Sequence, residues 1–474
     1  MFLSYALGLA LTQTASSQNE VTVYNQGFAL VKEVRQLNLR QGRQSVAVED
    51  VAEQIETNSV SIKSLTDPTG FSVLEQNYQY DLISPIAILN KAVGKTIRFH
   101  RVLPNGAKEM LSGTLVSSPT AIVGNAQGGG GMSWNGMVIQ ASDGRVILNP
   151  SGEIEVESIP EGLISKPTLL WELEANAAKS HTVELSYLTR GMAWAADYVL
   201  TLDGLGAADF RGWVTMTNNS GATFENAKLK LLAGEVARAS QPRPPAAPRG
   251  GARMEALGAA APFQEESLFE YHLYTLQRPA TIRNKEIKQL SLLEAKGVKI
   301  TKKLIVDSLL QYGVFYPSEG EIGVGTQKPQ VRIEFENKQT NNLGMPLPMG
   351  TVKVYQRDKS GSVQMLGEDR IQHTPKDEKV SLVVGRSFDV VAERKRMNFR
   401  RISDRSFEET FEIELRNRKE VPETVHVFER HYGDWQITKT SDPWTKLEAS
   451  LQQYVIELKA GEVKKVTYTV VTRW

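Results

Sequence analysis

The stretch Leu169–Leu202, LLWELEANAAKSHTVELSYLTRGMAWAADYVLTL, decides the fold class. Leu169, Trp171 and Leu173, then Val183, Leu185 and Tyr187, then Tyr198, Leu200 and Leu202 form three alternating runs separated by turn-rich segments. A period of two is that of a strand with one face in a core and one in water. The alternation is already present at Leu30 to Val34 and at Val46 and Val48. It returns in Val331, Ile333, Phe335, in Val352, Val354, in Phe411, Ile413, Leu415 and in Val425, Val427. The pattern predicts an all-β protein built of several immunoglobulin-like β-sandwich units with few helices.

One short helix is expected at Ser84 to Ala92, where Pro85 suits a first turn, Ile86, Leu89 and Val93 recur at helical spacing, and Gly94 ends it. Lys285 to Leu310 is ambiguous, because Leu290, Leu293 and Ala295 fit a helix, and Gly297 with the alternating Val298, Ile300, Leu304 and Val306 tilts the reading toward strand. After the helix, about five short strands with tight turns at Pro104 to Gly106 and Asp143-Gly144 lead to Ile159, the pattern of a small SH3-like or Sm-like barrel. The run Gly128 to Gly131 has strands on both sides instead of a following helix, so it is expected to be a hairpin tip and not a phosphate cradle.

Composition narrows the function. The 474 residues carry 55 Lys plus Arg against 54 Asp plus Glu, so no bulk field attracts a polyanion and general nucleic-acid binding is not expected. With no Cys, zinc fingers, iron–sulfur clusters, disulfides and cysteine nucleophiles are excluded. Residues 1–17, MFLSYALGLALTQTASS, are uncharged, with an apolar run from Phe2 to Leu11 and small residues at Ala15 and Ser17. This is the pattern of a signal peptide, with a mature chain from Gln18 that is secreted or periplasmic. No later apolar stretch is long enough for a membrane-spanning helix.

The segment 237–262 holds nine Ala, five Pro, three Gly and four Arg, a composition that buries too little apolar surface to order itself. It is expected to be a disordered loop joining two strands of one domain. A further pattern recurs three times: a strand runs into Asn, a polar turn follows and another strand leaves, at Asn218, Asn337 and Asn417. Asn closes strands because its side chain bonds nearby backbone. These observations divide the chain into a signal peptide (1–17), an N-terminal β region (18–83), a small barrel-like insert (84–160), a sandwich region carrying the loop (161–320) and a C-terminal sandwich (321–474).

The segments SYLTRGMAWAADYVLTL (Ser186 to Leu202), NNSGATFENAKLKLLAGE (Asn218 to Glu235), NLGMPLPMGTVKVYQRD (Asn342 to Asp358), LGEDRIQHTPKDEKVSLVVGRSFDV (Leu366 to Val390) and ELRNRKE (Glu414 to Glu420) resemble the uncharacterised domain family at the C-terminus of mucoidy-inhibitor-A-like bacterial proteins. VYNQGFALVKEVRQLNL (Val23 to Leu39), EQNYQYDL (Glu75 to Leu82) and EGLISKPTLLWEL (Glu161 to Leu173) are similar to the N-terminal part of single-chain members. The resemblance implies an exported β-rich protein and supplies no catalytic residues. The separate N-terminal domain and coiled-coil insert of the mucoidy-inhibitor proteins are lacking, so a role in exopolysaccharide control does not carry across.

Chemistry-bearing patterns are sparse. The six His are scattered, and in VHVFERHYGDW, His426 and Glu429 are expected on opposite faces of a strand, which spoils a metal site unless the chain turns near Arg430. No metal, cofactor or catalytic residue is assigned. The basic run Arg394 to Arg405 contains one acid, Asp404, so Arg394, Arg396, Arg400 and Arg401 are candidates for contact with an anionic partner, with a solvated hairpin as the plainer reading. Trp194 and Tyr198 are candidates for an aromatic platform, with buried core as the commoner fate of such residues. The final alternation Val466, Tyr468, Val470, Thr472, Trp474 suits an outer-membrane barrel in isolation. Strands such as VRIEFEN (Val331 to Asn337), charged on both faces, favour a sandwich instead. The expected function is an exported non-catalytic envelope binding or scaffold protein whose partner is an envelope protein or polysaccharide. The alternative is a carbohydrate-active hydrolase using an unidentified carboxylate pair.

Overall fold

The computed structural model describes residues 10–11, 18–102, 106–117, 120–124, 130–134, 136–150, 152–238, 263–307 and 324–473. Strands dominate, and the one α-helix among the described residues is Pro85–Lys91, capped by the Ser84 hydroxyl, which accepts from the Ala87 N–H at 3.1 Å. Gly94 follows at φ +80°, a left-handed conformation that ends the helix without a Cβ penalty.

The deciding stretch folds as its alternation requires. Thr168–Ala175 pairs with Gly42–Glu49 and Phe71–Gln79 in a four-stranded sheet, with Ala10–Leu11 beside Gly42–Glu49. Lys179–Arg190 lies along the whole of Phe28–Leu39 in an eight-stranded sheet. Met192–Leu202 turns into a third sheet, between Ala207–Asn218 and Gly350–Arg357. Residues 18–83 therefore complete the sheets of the sandwich that begins at residue 168, and 84–160 is an insertion within that unit. The insertion has its own five-stranded antiparallel sheet and its own core of Ala92, Ile97, Phe99, Leu115, Met137 and Ile139. The ladder that would close it into a barrel is not among the described pairings. Gly130 and Gly131 belong to the strand Gly130–Trp134, antiparallel to Thr120–Gly124, and Gly128 and Gly129 of the expected tip lie outside the described residues.

The three Asn units are one connection used three times. Ala207–Asn218, antiparallel to Glu286–Lys299, ends in Asn218. The chain then crosses to another sheet as Phe224–Ala233, which pairs in parallel with Gln18–Tyr24 and antiparallel with Tyr271–Leu276. Gln330–Glu336, antiparallel to Lys379–Arg386, leads through Asn337 to Gly350–Arg357, which pairs in parallel with Met192–Leu202 and antiparallel with Val363–Ile371. Ser406–Asn417, antiparallel to Val463–Arg473, leads to Glu423–Arg430, which pairs in parallel with Thr301–Asp307 and antiparallel with Leu451–Leu458.

Each Asn is at most 1% exposed and makes equivalent bonds. Asn218 Nδ2 donates to the carbonyls of Ala222 (2.9 Å), Ile282 (3.3 Å) and Arg283 (3.1 Å), while Oδ1 accepts from the Ser220 N–H. Asn337 Nδ2 donates to Met345 and Pro375, and its Oδ1 accepts from the Gly344 N–H. Asn417 Nδ2 donates to Val421 and Lys459, and its Oδ1 accepts from the Lys419 N–H. One carboxamide thus ties its own turn to the segment that enters the returning strand, and leaves no buried polar atom unpaired.

Consecutive sandwiches share sheets. Met192–Leu202 serves the first through Ala207–Asn218 and the second through Gly350–Arg357; Thr301–Asp307 does the same between Gln330–Glu336 and Glu423–Arg430. The expected border between 320 and 321 lies outside the described residues, and described strands on both sides of it lie in the same sheets. The physical cause is the parallel pairing, which joins strands far apart in sequence. One continuous core serves the first two sandwiches, and a second core, including Val390, Phe411, Ile413, Tyr454 and Tyr468, fills the third.

Phe224–Ala233 and Tyr271–Leu276 are neighbours in one sheet, as expected for strands flanking the Ala/Pro-rich segment; of that segment, 239–262 lies outside the described residues. So does the expected signal peptide apart from Ala10–Leu11. The hairpin Phe263–Leu268/Tyr271–Leu276 turns through Phe269 at φ +59°, where the ring is 83% exposed. A left-handed backbone costs a residue with a Cβ about 1–2 kcal/mol, and Asn tolerates it better. Phe269→Asn is expected to raise stability by about 1 kcal/mol, read as a higher urea midpoint. A lower midpoint would show that the contact between the Phe269 and Tyr271 rings, 6.2 Å apart, outweighs the backbone.

Candidate functional site

Val390–Ser403 pairs with Ser406–Asn417, and this hairpin brings carboxylates to cations that look unneutralised in linear order. Arg400 pairs with Glu408, Arg401 with Asp404, Arg396 with Glu409 and Lys395 with Glu393. Arg394 turns into the core, 8% exposed, where Nη2 lies 2.8 Å from Glu429 and 3.0 Å from Tyr468 Oη, and its guanidinium sits 3.6 Å from the centre of the Phe411 ring. Burial works against that charge, but Glu429 beside it outweighs the penalty and raises the Arg394 pKa. Arg394 and the nearly buried Arg396 are therefore withdrawn as surface contacts. Arg400 and Arg401 remain on the surface, each with a carboxylate partner.

Trp194 and Tyr198 are likewise corrected from platform to core, at 4% and 1% exposed. Trp194 Nε1 donates to the Leu232 carbonyl, and Tyr198 donates to the Pro348 carbonyl while stacking on Phe210 at 5.1 Å. Their polar atoms bridge sheets and segments, which is why these amphipathic rings can be fully buried.

His426, Glu429 and His431 do not converge. Glu429 accepts from Arg394 and from the Tyr468 hydroxyl, His426 faces Gln453, and the His431 Nε2–H donates to Gln452 Oε1 at 2.7 Å while its ring stacks on Trp435. Among the described residues no group of three His, Asp or Glu is placed to hold a metal ion.

Burial lowers the pKa of His431, His426 and His373 from the ordinary 6.5. The unfolded chain then binds these protons at higher pH than the folded one, so their contribution is complete above about 6.5 and is lost as the pH falls through the folded values. Glu409, raised by burial against the pull of Arg396, acts in the opposite sense: its contribution is present at low pH and is lost as the pH rises through its folded value. Urea midpoints measured from pH 7.5 to 5 should decline, and His431→Gln should flatten the decline.

The groove that the sequence does not announce lies at one end of the first sandwich. Its volume is about 910 Å³, within the range of ligand sites. One wall is the turn after Gln18–Tyr24, where Tyr24 and Phe28 stack at 4.2 Å across Asn25–Gly27. Gln26 pins that turn, because its carboxamide donates to the Val236 carbonyl and accepts the Val236 N–H, both at 3.1 Å. The same Val236–Arg238 segment lays the Arg238 guanidinium over the Phe28 ring, 4.4 Å from its centre. The opposite wall is Gln54–Ser59, a wrap ending in the short 3₁₀ turn Thr57–Ser59 and held by Gln54, which donates to the Asn219 carbonyl.

Glu56 joins the walls. Its Oε1 accepts from Arg190 Nε at 3.1 Å and its Oε2 from Arg238 Nη2 at 2.5 Å. The hydrogen bond from Arg238, assisted by Arg190 and opposed by burial, holds the Glu56 pKa below the usual carboxylate range. A carboxyl group so held stays ionised and is a poor proton donor. Linear reading misses this site because Tyr24, Glu56, Arg190 and Arg238 come from four distant segments. The one local hint is the pair of aromatic residues spaced around the Asn-Gln-Gly turn. Compared with protein-family models and with curated proteins, the chain matches none.

Proposed function

We propose that the chain is an exported, non-catalytic β-rich protein of the bacterial envelope that binds another envelope component through the groove at Tyr24, Glu56, Arg190 and Arg238. The observation that carries this reading is the Glu56 arrangement: one ionised carboxylate shared by two guanidiniums in an open groove, suited to recognition and unsuited to general-acid hydrolysis. The uncharged apolar start of the chain supports export. The rigid sheets beneath the groove supply a preorganised base for binding.

The test is co-sedimentation of the purified protein with isolated envelope fragments. Asn58 is an exposed groove residue, and Asn58→Trp should fill the groove and abolish co-sedimentation with the melting temperature unchanged. Undiminished sedimentation of that variant would remove the groove from the reading. Release of reducing ends from envelope glycans by the purified protein would replace the reading with the hydrolase.

A further inference from the structure

We propose, resting on the binding reading above, that the groove selects acidic glycans, with Arg190 and Arg238 recognising a sugar carboxylate. The charged residues lining the groove are Glu56, Arg190 and Arg238, so two positive charges meet one negative charge and the lining carries a net positive charge. A guanidinium has five N–H donors. Among the described residues Glu56 takes Nε of Arg190 and Nη2 of Arg238, so most of both donor forks is left over. The side chains of Arg190 and Arg238 keep 71% and 34% of their surface exposed, which leaves them open to a second carboxylate. Arginine forks match carboxylate geometry and bind it as paired, charge-assisted hydrogen bonds. Glu56 then acts as a resident counter-ion that holds the two forks in place and competes with the ligand.

The rest of the lining favours a glycan over an acidic peptide. Phe28 is buried against Tyr24 and Arg238, and Ile55 is buried, so of the apolar side chains lining the groove only Leu188, Val236 and Ala237 keep exposed surface, a small area for side-chain anchors. The lining also includes the exposed Thr57 and Asn58 and the half-buried Tyr24, residue types whose hydroxyl and carboxamide bond to sugar hydroxyls and whose ring packs on sugar rings.

The experiment is isothermal titration of the full chain with trigalacturonate, with its carboxyl-reduced neutral counterpart, and with tri-glutamate. Trigalacturonate should bind at least ten-fold more tightly than the neutral sugar, and the margin should shrink as salt rises. Arg190→Gln should erase the margin, whereas Glu56→Gln should strengthen trigalacturonate binding several-fold by removing the competing charge. Circular dichroism and melting of each variant separate loss of binding from loss of fold. Equal affinity for the acidic and neutral sugars would overturn acid selection while leaving the groove as a binding site. Tighter binding of tri-glutamate would overturn the glycan class. Weaker trigalacturonate binding by a folded Glu56→Gln protein would overturn the counter-ion role. Co-sedimentation of Asn58→Trp with envelope fragments stands apart from all of these, because it tests whether the groove binds anything at all.

Discussion

Replacing Glu429 by Ala is expected to destabilise the third sandwich by about 3–5 kcal/mol, because it breaks a buried ion pair from one side. The variant takes from the Arg394 guanidinium, buried beside Phe411 and Tyr468, the carboxylate it meets at 2.8 Å, and breaking a buried ion pair from one side is what sets the magnitude. The paired replacement Arg394→Met with Glu429→Leu removes both charges, and it should recover most of the loss, since apolar groups of similar volume commonly replace a buried pair at little net cost. Calorimetric unfolding of the two variants decides the matter. A single-variant loss below about 1 kcal/mol, typical of an exposed pair, would contradict the burial of this one.

The second large effect belongs to the Asn connection. Asn417→Ala strips the hydrogen bonds from the Val421 and Lys459 carbonyls and the Lys419 N–H. Each group left unsatisfied costs about 1–3 kcal/mol where water cannot reach it, so a total of about 3 kcal/mol is expected from these partly buried sites. Asn417→Asp separates the mechanism from the loss of volume. A carboxylate keeps the acceptor for Lys419 and cannot donate to Val421 or Lys459, so Asp should fail almost as badly as Ala. An Asp variant as stable as the parent, in urea unfolding at pH 7, would show that the donor bonds are dispensable. Asn218 and Asn337 should behave alike, because their carboxamides make the same bridge in the first and second sandwiches.

The equivalence of these three residues is visible in sequence only as a habit of ending strands in Asn. Its meaning lies in the partners: Ile282 and Arg283, Pro375 and Lys459 are far along the chain from the Asn they bind. The basic run teaches the same lesson about charge. Counted along the chain, Arg394 to Arg405 has one acid, whereas the hairpin supplies Glu408 and Glu409 from the next strand and the opposite sheet supplies Glu429. Coulomb attraction depends on distance in space, and strand pairing sets those distances.

Sequence by itself determined what depends on local pattern. Period-two alternation fixed the strands, Ser84, Pro85 and Gly94 bounded the helix, and the composition excluded cysteine chemistry. These follow from backbone preferences and one-sided burial, which act over a few residues. Tertiary structure alone decided how the strands were shared out: which sheets two sandwiches hold in common, that Arg394, Trp194 and Tyr198 face inward, and that Tyr24, Glu56, Arg190 and Arg238 meet in one groove. Parallel pairing and sheet crossing join segments whose separation along the chain carries no trace of their contact, so the groove exists only once the sandwich has closed.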